Sequence, residues 1–290
     1  MKRAVLTIVL GLLMHSNAFA TWSLLALDTR TGQVIIASAT CVPQSRFPPR
    51  PSRDLMDIQA VIVPGIGVAA CQASVDNTGQ NQQLVFEALK KGTPPEEIIE
   101  LLREFEKAKG PEDDRMERRQ FGVLDMQGRR AGHSGSGNGN ASLDVSGNVG
   151  DYIFYQFQGN SLLSDDVMLN AEVAFTKAKG TLAVRVIAAM EGADEKGGDG
   201  RCTCEEAPYP LAPCDGKTAH VAYILIANSE DTSGADFNSG KYFAYISVTD
   251  ENIQPWENAS PVKTLRLRYD IWKDAGSPRM DFDAAWSPEG

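Results

Sequence analysis

The chain has 290 residues, with 28 lysines and arginines against 38 aspartates and glutamates, for a net charge of −10 near neutral pH. So acidic a chain has no surplus of cations with which to release counterions from a polyanion, which sets nucleic acid and anionic membranes aside as partners. Its length suits one large domain or two small ones.

The first twenty residues read as a secretory signal. Lys2 and Arg3 precede an apolar run from Ala4 to Met14, and Ala18-Phe19-Ala20 puts small residues at positions −3 and −1 of a cut. The run is shorter than the roughly 20 residues that a bilayer core of about 30 Å requires. Cleavage after Ala20 makes Thr21 the first mature residue, whereas Ser16 and Ala18 offer a competing cut two residues earlier. The expectation is an exported protein, periplasmic or extracellular, of 270 residues, with no membrane association after cleavage. All five cysteines (Cys41, Cys71, Cys202, Cys204 and Cys214) lie in the mature part. An oxidising destination makes disulfides the default, and the odd count leaves one thiol over. Cys41 and Cys71 each sit at a predicted strand end, so a bridge between them is one pairing to test.

From Trp22 to Leu27 both faces of the alternation are apolar, the pattern of a strand covered on both sides. A turn at Asp28 to Gly32 leads to a second strand, Gln33 to Thr40, and a proline-rich loop runs from Pro43 to Pro51. Ile58 to Val63 and Val68 to Val75 form a second predicted hairpin. Helices follow at Gln80 to Lys91 and after Thr93, where Thr93 is the expected N-cap, Pro94 the first helical residue, and Glu96 and Glu97 favour the first turn. Gln120 to Asp125 and Arg129 to Ser134 make a third hairpin, a glycine- and asparagine-rich loop covers Gly135 to Gly150, and Tyr152 to Gln158 is a strand. Two helices, Asp165 to Lys177 and Thr181 to Glu191, precede an irregular segment from Gly192 to Lys217. Strands at Ala219 to Ala227 and Lys241 to Thr249 and a helix from Ser260 to Lys273 complete the order. This order is neither βαβ alternation nor an all-β pattern. It fits an α+β four-layer αββα sandwich of two antiparallel sheets between helical layers.

A threonine at a mature amino terminus carries a hydroxyl nucleophile and a free amine on one residue. The amine, with an ordinary pKa of about 7.7–8.0, can take the hydroxyl proton directly or through water. Before cleavage the same nitrogen is an amide and is not basic, so export would also be activation. Other signatures are weak. In His133-Ser134-Gly135-Ser136-Gly137 neither serine has glycine at both the −2 and +2 positions, and Asn140 stands where a dinucleotide fingerprint needs its last glycine. Cys202, Cys204, Cys214 and His220 could in principle hold zinc, but their spacing fits a disulfide-stapled loop better. Asn77, Asn160, Gln72 and Gln158 lie at predicted strand ends, where capping backbone groups is the ordinary role of an amide.

Taken together, Thr21-Trp22-Ser23 leading to Asp28 and Gly32, the Gly67 to Ala73 strand with Gln72, and Arg118-Arg119-Gln120-Phe121-Gly122-Val123-Leu124-Asp125 with Gln127-Gly128 form one pattern with Gln158-Gly159-Asn160 and Gly197-Gly198-Asp199. That pattern resembles the Ntn-hydrolase-like family catalogued as domain of unknown function 1028, over roughly Thr21 to Lys273. Its members typically open Met-Thr-Phe-Ser, which aligns their threonine with Thr21. The resemblance implies an Ntn-hydrolase αββα fold and hydrolysis of a small-molecule or peptide amide without a cofactor. It makes Thr21 the nucleophile, with Asn160 and Gln72 as donors to the oxyanion. The Cys202 to Cys214 insertion departs from the family pattern, and the family supplies no substrate. The expected organisation is a signal peptide at 1–20, one domain at 21–275 and a tail at 276–290. The rival expectation is a non-catalytic secreted binding or scaffold protein on the same fold.

Overall fold

The computed structural model describes residues 21–47, 54–74, 76–208, 211–237 and 239–281. The expected signal peptide and the residues beyond 281 lie outside this set. In chain order the elements are β1 (Thr21–Asp28), β2 (Gln33–Thr40), α1 (Leu55–Gln59), β3 (Ala60–Val63), β4 (Gly67–Gln72), α2 (Gln80–Lys90) and α3 (Pro95–Ala108). Then come β5 (Gln120–Asp125), β6 (Arg130–Ser134), β7 (Leu143–Val149), β8 (Ile153–Asn160), α4 (Asp166–Lys177), α5 (Leu182–Glu195), β9 (Val221–Ala227), β10 (Ala244–Thr249) and α6 (Pro261–Asp274).

The strands form two antiparallel sheets, one of six strands in the order β10-β9-β2-β1-β8-β7 and one of four in the order β3-β4-β5-β6. Strand alternation explains how they stack. Along β1, Trp22, Leu24 and Ala26 pack with Phe175, Val186, Met190 and Leu265 of the helices α4, α5 and α6. Leu25 and Leu27 point the other way and meet Ile62, Val68, Ala70 and Leu124 of the smaller sheet. The far face of that sheet, with Val61, Ala69, Phe121 and Val123, is covered by Val85, Phe86, Ile98 and Leu102 of α2 and α3. The protein is thus α+β, with helices outside and two antiparallel sheets inside, and β1 buried at every position as its two-sided apolar pattern requires.

Three sequence expectations are corrected locally. The glycine-rich segment from 135 to 150 contains a strand, β7, at the edge of the large sheet, where alternating half-exposed residues replace the apolar run that a central strand would show. Ile58 and Gln59, expected to begin a strand, instead end a short helix from Leu55, where the Asp54 carboxylate accepts from the Met56 N–H at 2.8 Å and caps the turn. At α3 the cap is Pro94 and the first helical residue is Pro95, one position later than expected.

The cysteine pairing also differs. Cys41 is bonded to Cys202 and Cys204 to Cys214, with Cα–Cα distances of 5.8 and 6.0 Å, while Cys71 is a buried free thiol. Cys71 cannot meet Cys41 because it faces α2 and α3 on the outer side of the small sheet, whereas Cys41 follows β2 of the large one. With three of its four ligands in disulfides, the zinc alternative is gone, and no group of metal-ligating side chains occurs among the described residues. No helix among them is long and apolar enough to cross a membrane. The first residues beyond α6 are docked: the Met280 N–H donates to the Phe243 carbonyl at 3.0 Å.

Candidate functional site: a polar layer between the sheets

The space between the sheets changes character along its length. At one end Leu25, Leu27, Val34, Ile36, Val68 and Leu124 fill it. Two residues further along the same strand faces, the positions become Ser23 then Thr21 on β1, Ser38 then Thr40 on β2, and Gln156, Gln158 and Asn160 on β8. From the small sheet, Gln72 on β4 and Gln120 on β5 join them, and every one of these side chains is buried. The register brings the ends together, since Thr21 pairs with Thr40 on one side and with Asn160 on the other.

Buried amides and hydroxyls are tolerable only when paired, and these are, apart from the Gln158 amide oxygen, which has no partner among the described residues. The Gln72 Nε2 donates to the Thr21 carbonyl oxygen at 3.0 Å and to Gln120 Oε1 at 2.7 Å. Asn160 Nδ2 donates to the same two acceptors at 3.3 and 3.2 Å. Gln120 Nε2 in turn donates to the Gly159 carbonyl at 2.7 Å. Ser23 Oγ donates to Gln72 Oε1 at 2.6 Å and accepts from Gln158, while Gln59 Nε2 bridges Gln72 Oε1 and Ser38 Oγ at 3.1 and 2.9 Å. Gly122 leaves room for this layer, because a Cβ there would collide with the Gln158 amide.

Thr21, only 6% exposed, holds its hydroxyl 2.9 Å from the Thr40 hydroxyl at the wall of a cavity of about 900 Å³. Gln72 and Gln59 also line this cavity. Just past Gln72 the backbone takes left-handed conformations at Ala73 and Ser74, with φ of 56° and 43°. Such values are costly for non-glycine residues and concentrate at functional sites. The hydrogen-bonded layer around Thr21 consists of threonine, serine, glutamine and asparagine, and none of these titrates near neutral pH. No acid or base is therefore supplied by the side chains that hold it.

The cavity has a second, charged wall. Arg46, Lys109, Arg115, Arg118 and Arg119 line it against the carboxylates Asp76 and Asp113, a local excess of cations in an acidic protein. Behind them lies Glu106 on α3, fully buried. Its Oε1 accepts from Lys109 Nζ and Asn81 Nδ2, both at 2.8 Å, and from Arg119 Nη2 at 3.3 Å, while Oε2 accepts from the Arg115 N–H at 3.1 Å. Burial pushes the Glu106 carboxyl upward, but the Lys109 and Asn81 hydrogen bonds and the Arg119 charge outweigh it and hold it below its usual value. Asp76 is likewise held low. Burial raises it, but hydrogen bonds from Thr78 and from the Asn81 N–H, with the Lys109 charge, prevail. Arg119 is 5% exposed, and its Nε and Nη1 have no hydrogen-bond partner. Burying unpaired charged donors costs more than the roughly 1–3 kcal/mol of a neutral group.

The residues expected at the site thus fall into place as follows. Thr21, Gln72 and Asn160 come together, although both amide nitrogens spend their two N–H bonds on the Thr21 carbonyl and Gln120. Asn77 is exposed at the cavity rim, and Gln158 is part of the layer. Thr40, Gln120 and Arg119 were not singled out by sequence reasoning. A period-two row of polar residues at the ends of apolar strands, as in Ser38 and Thr40 or Gln156, Gln158 and Asn160, is the signal that marks this layer.

These features define an α+β domain of two antiparallel sheets whose ends enclose a neutral polar layer beside a cation-lined cavity. The chain belongs to a family described as Family of unknown function (DUF1028), whose model matches residues 21–207, starting at Thr21 itself. A similar solved structure is that of protein SPO2555 from Silicibacter pomeroyi, assigned to DUF1028. It is 16% identical, the likeness covers 88% of this chain and 89% of that one, and the TM-score is 0.59, so the likeness is one of fold. No curated protein matches the sequence.

Proposed function

We propose that the protein is an exported N-terminal-nucleophile amidohydrolase of the Ntn-hydrolase type, with Thr21 exposed by signal cleavage. The observation that carries this reading is the setting of Thr21: a buried hydroxyl on a cavity wall, in a residue whose side-chain hydrogen-bond partners Thr40, Gln72 and Asn160 are all neutral. A nucleophile so placed needs a base, and the one group that removal of residues 1–20 would add is its own α-amine. The start of the family match at Thr21 and the two disulfides, which suit an oxidising destination, support the same reading.

In the proposed reaction the Thr21 Oγ1 attacks an amide carbonyl while the amine takes its proton and then delivers it to the leaving amine. Water hydrolyses the resulting ester. Thr40 orients the hydroxyl, and Gln72 and Asn160 fix the Thr21 peptide. For either amide to serve as oxyanion donor, it must release the Thr21 carbonyl or Gln120. That pairing is the one observation favouring the rival reading, a secreted binding protein that does no chemistry. N-terminal sequencing of secreted protein, labelling with β-lactone and fluorophosphonate probes, and turnover of an acyl-anilide panel separate the two. The expected outcome is a Thr21 terminus, label confined to its peptide, and loss of about 10³-fold or more in turnover for Thr21→Ala and for a one-residue extension before Thr21. Undiminished turnover in either variant, or no label with any probe, refutes the enzyme.

A further inference from the structure

The segment from Cys41 to Phe47 leaves β2 directly after Thr40 and forms a partition between two hollows. On one side Val42, Arg46 and Phe47 line the cavity whose wall carries Thr21. On the other, Cys41, Pro43 and Arg46 line a second hollow of about 240 Å³ with Arg201 and His220, so the back of the partition is not packed solid. The backbone bonds from the Arg46 N–H to Pro43 and from the Phe47 N–H to Gln44 are local, and position therefore depends on ties to the rest of the fold. Among these are the burial of Phe47, the Gln44 N–H donating to Asp250 Oδ1 at 2.9 Å, and the Cys41–Cys202 disulfide. Of the three, the disulfide is the tie at the Thr40 end. Cys202 is itself well anchored: its N–H donates to the Asp199 carbonyl at 3.1 Å, the Asp199 N–H donates to the Thr218 carbonyl at 3.3 Å, and the adjoining Gly198 lies so close to the Trp22 indole that a Cβ there would collide with it. The partition is thus tied to a turn that rests on the residue following Thr21.

We propose that the Cys41–Cys202 bond is a redox lock on the candidate site. Oxidised, it fixes Thr40 and the Val42 to Phe47 wall beside Thr21; reduced, it lets that wall fall back toward the second hollow, and the site is no longer assembled. Closing the lock joins the two sulfurs and passes two electrons and two protons to a disulfide oxidant, which leaves as two thiols; a dithiol reductant reverses the step and is itself oxidised to a disulfide. The lock is therefore open in a reducing compartment and closed in an oxidising one, so that oxidation joins signal cleavage as a condition for activity. Its effect reaches Thr21 directly, because Cys41 adjoins Thr40, whose hydroxyl oxygen lies 2.9 Å from that of Thr21 and accepts from the Val42 N–H at 3.2 Å. The Cys204–Cys214 bond joins two residues of one loop and ties neither to β2, which makes it the natural control. The inference rests on the amidohydrolase reading of Thr21 for calling the lock a switch of activity, but not for the ordering of the wall.

The test compares the mature wild type with Cys41→Ser/Cys202→Ser and with Cys204→Ser/Cys214→Ser, at a temperature where each is folded by circular dichroism. Amide hydrogen exchange is read by mass spectrometry, and the labelling rate of Thr21 is followed with a β-lactone probe. Without the Cys41–Cys202 bond, peptides covering residues 40–47 are expected to exchange about tenfold faster or more while those of β4 and β5 keep their rates. Labelling of Thr21 is expected to slow by about tenfold or more. Without the Cys204–Cys214 bond both readouts should stay within about twofold of the wild type. Graded reduction of the wild type with a phosphine, the opened pair being identified by alkylation and mass, gives the same readouts if the first variant does not fold. A bond that merely stabilises the fold would raise exchange everywhere or nowhere. Unchanged exchange at 40–47, an equal rise in β4 and β5, or unfolding of the whole chain on reduction overturns the lock. The two readings fail separately. Faster exchange confined to 40–47 with no label or turnover in the wild type keeps the lock on the wall and removes the enzyme, whereas labelling of Thr21 that is indifferent to Cys41→Ser/Cys202→Ser keeps the enzyme and removes the lock.

Discussion

Replacing Gln120 by leucine tests whether the polar layer acts as a unit. Leucine is of similar size but removes two acceptor bonds and the donor bonds to Gly159, Ser134 and Leu143, the shortest of them to Gly159, leaving one N–H each on Gln72 and Asn160 and the Gly159 carbonyl without these partners in a place without exposure. Each orphaned buried group costs about 1–3 kcal/mol, so even with local relaxation the loss should reach about 3–6 kcal/mol, against a total stability of roughly 5–15 kcal/mol. For a domain of this size that corresponds to a melting point lower by about 6–20 °C. Urea unfolding with both disulfides intact, read as a shift in midpoint at constant slope, measures it. Asn160→Ala removes one of the same bonds. The double variant should therefore lose less than the sum of the two singles, by about 1–2 kcal/mol. A cost below about 1 kcal/mol for Gln120→Leu, or strict additivity with Asn160→Ala, would show that these contacts are not a coupled network.

Two further outcomes are expected. Burial raises the Cys71 thiol to about 12, so the folded protein should be inert to a disulfide reagent such as Ellman's and release one thiol equivalent per chain once denatured; rapid reaction in the native state, or more than one equivalent, contradicts the pairing described. Burial, with Lys217 nearby, lowers His220 to about 4, so between pH 6.5 and 4 the unfolded chain binds a proton that the folded one refuses, and acidification should destabilise the wild type by up to about 3 kcal/mol more than His220→Asn; parallel pH profiles of the two would refute this.

Much of the fold was legible because periodicity and turn chemistry agree along most of the chain. β2 and β5 fall on the expected residues, and the two-sided apolar pattern of Trp22 to Leu27 correctly announced an interior strand. β7 was hidden because an edge strand with Asp144, Ser146 and Asn148 on one face has no apolar signal beyond its own alternation, and the neighbouring glycines read as loop. The disulfides were hidden for another reason. Cys41 and Cys202 are 161 residues apart, and their meeting depends on how the loop after α5 lies against the end of β2, which no local pattern encodes. The site was legible at Thr21, Gln72 and Asn160, but their partners Thr40 and Gln120 became visible only once strand register set the polar ends side by side.

The charge of the chain teaches the same lesson about locality. A net charge of −10 argues against polyanion partners, because an extended phosphate backbone samples the average field of the surface. A small ligand in a cavity samples only the side chains around it. Here the residues that surround it come from the loop after β2, the end of α3 and the short turn before β5, three segments that bring Arg46, Lys109, Arg115, Arg118 and Arg119 to one wall. An acidic protein with a cationic cavity therefore excludes large anions over most of its surface while retaining a strong local field for small ones.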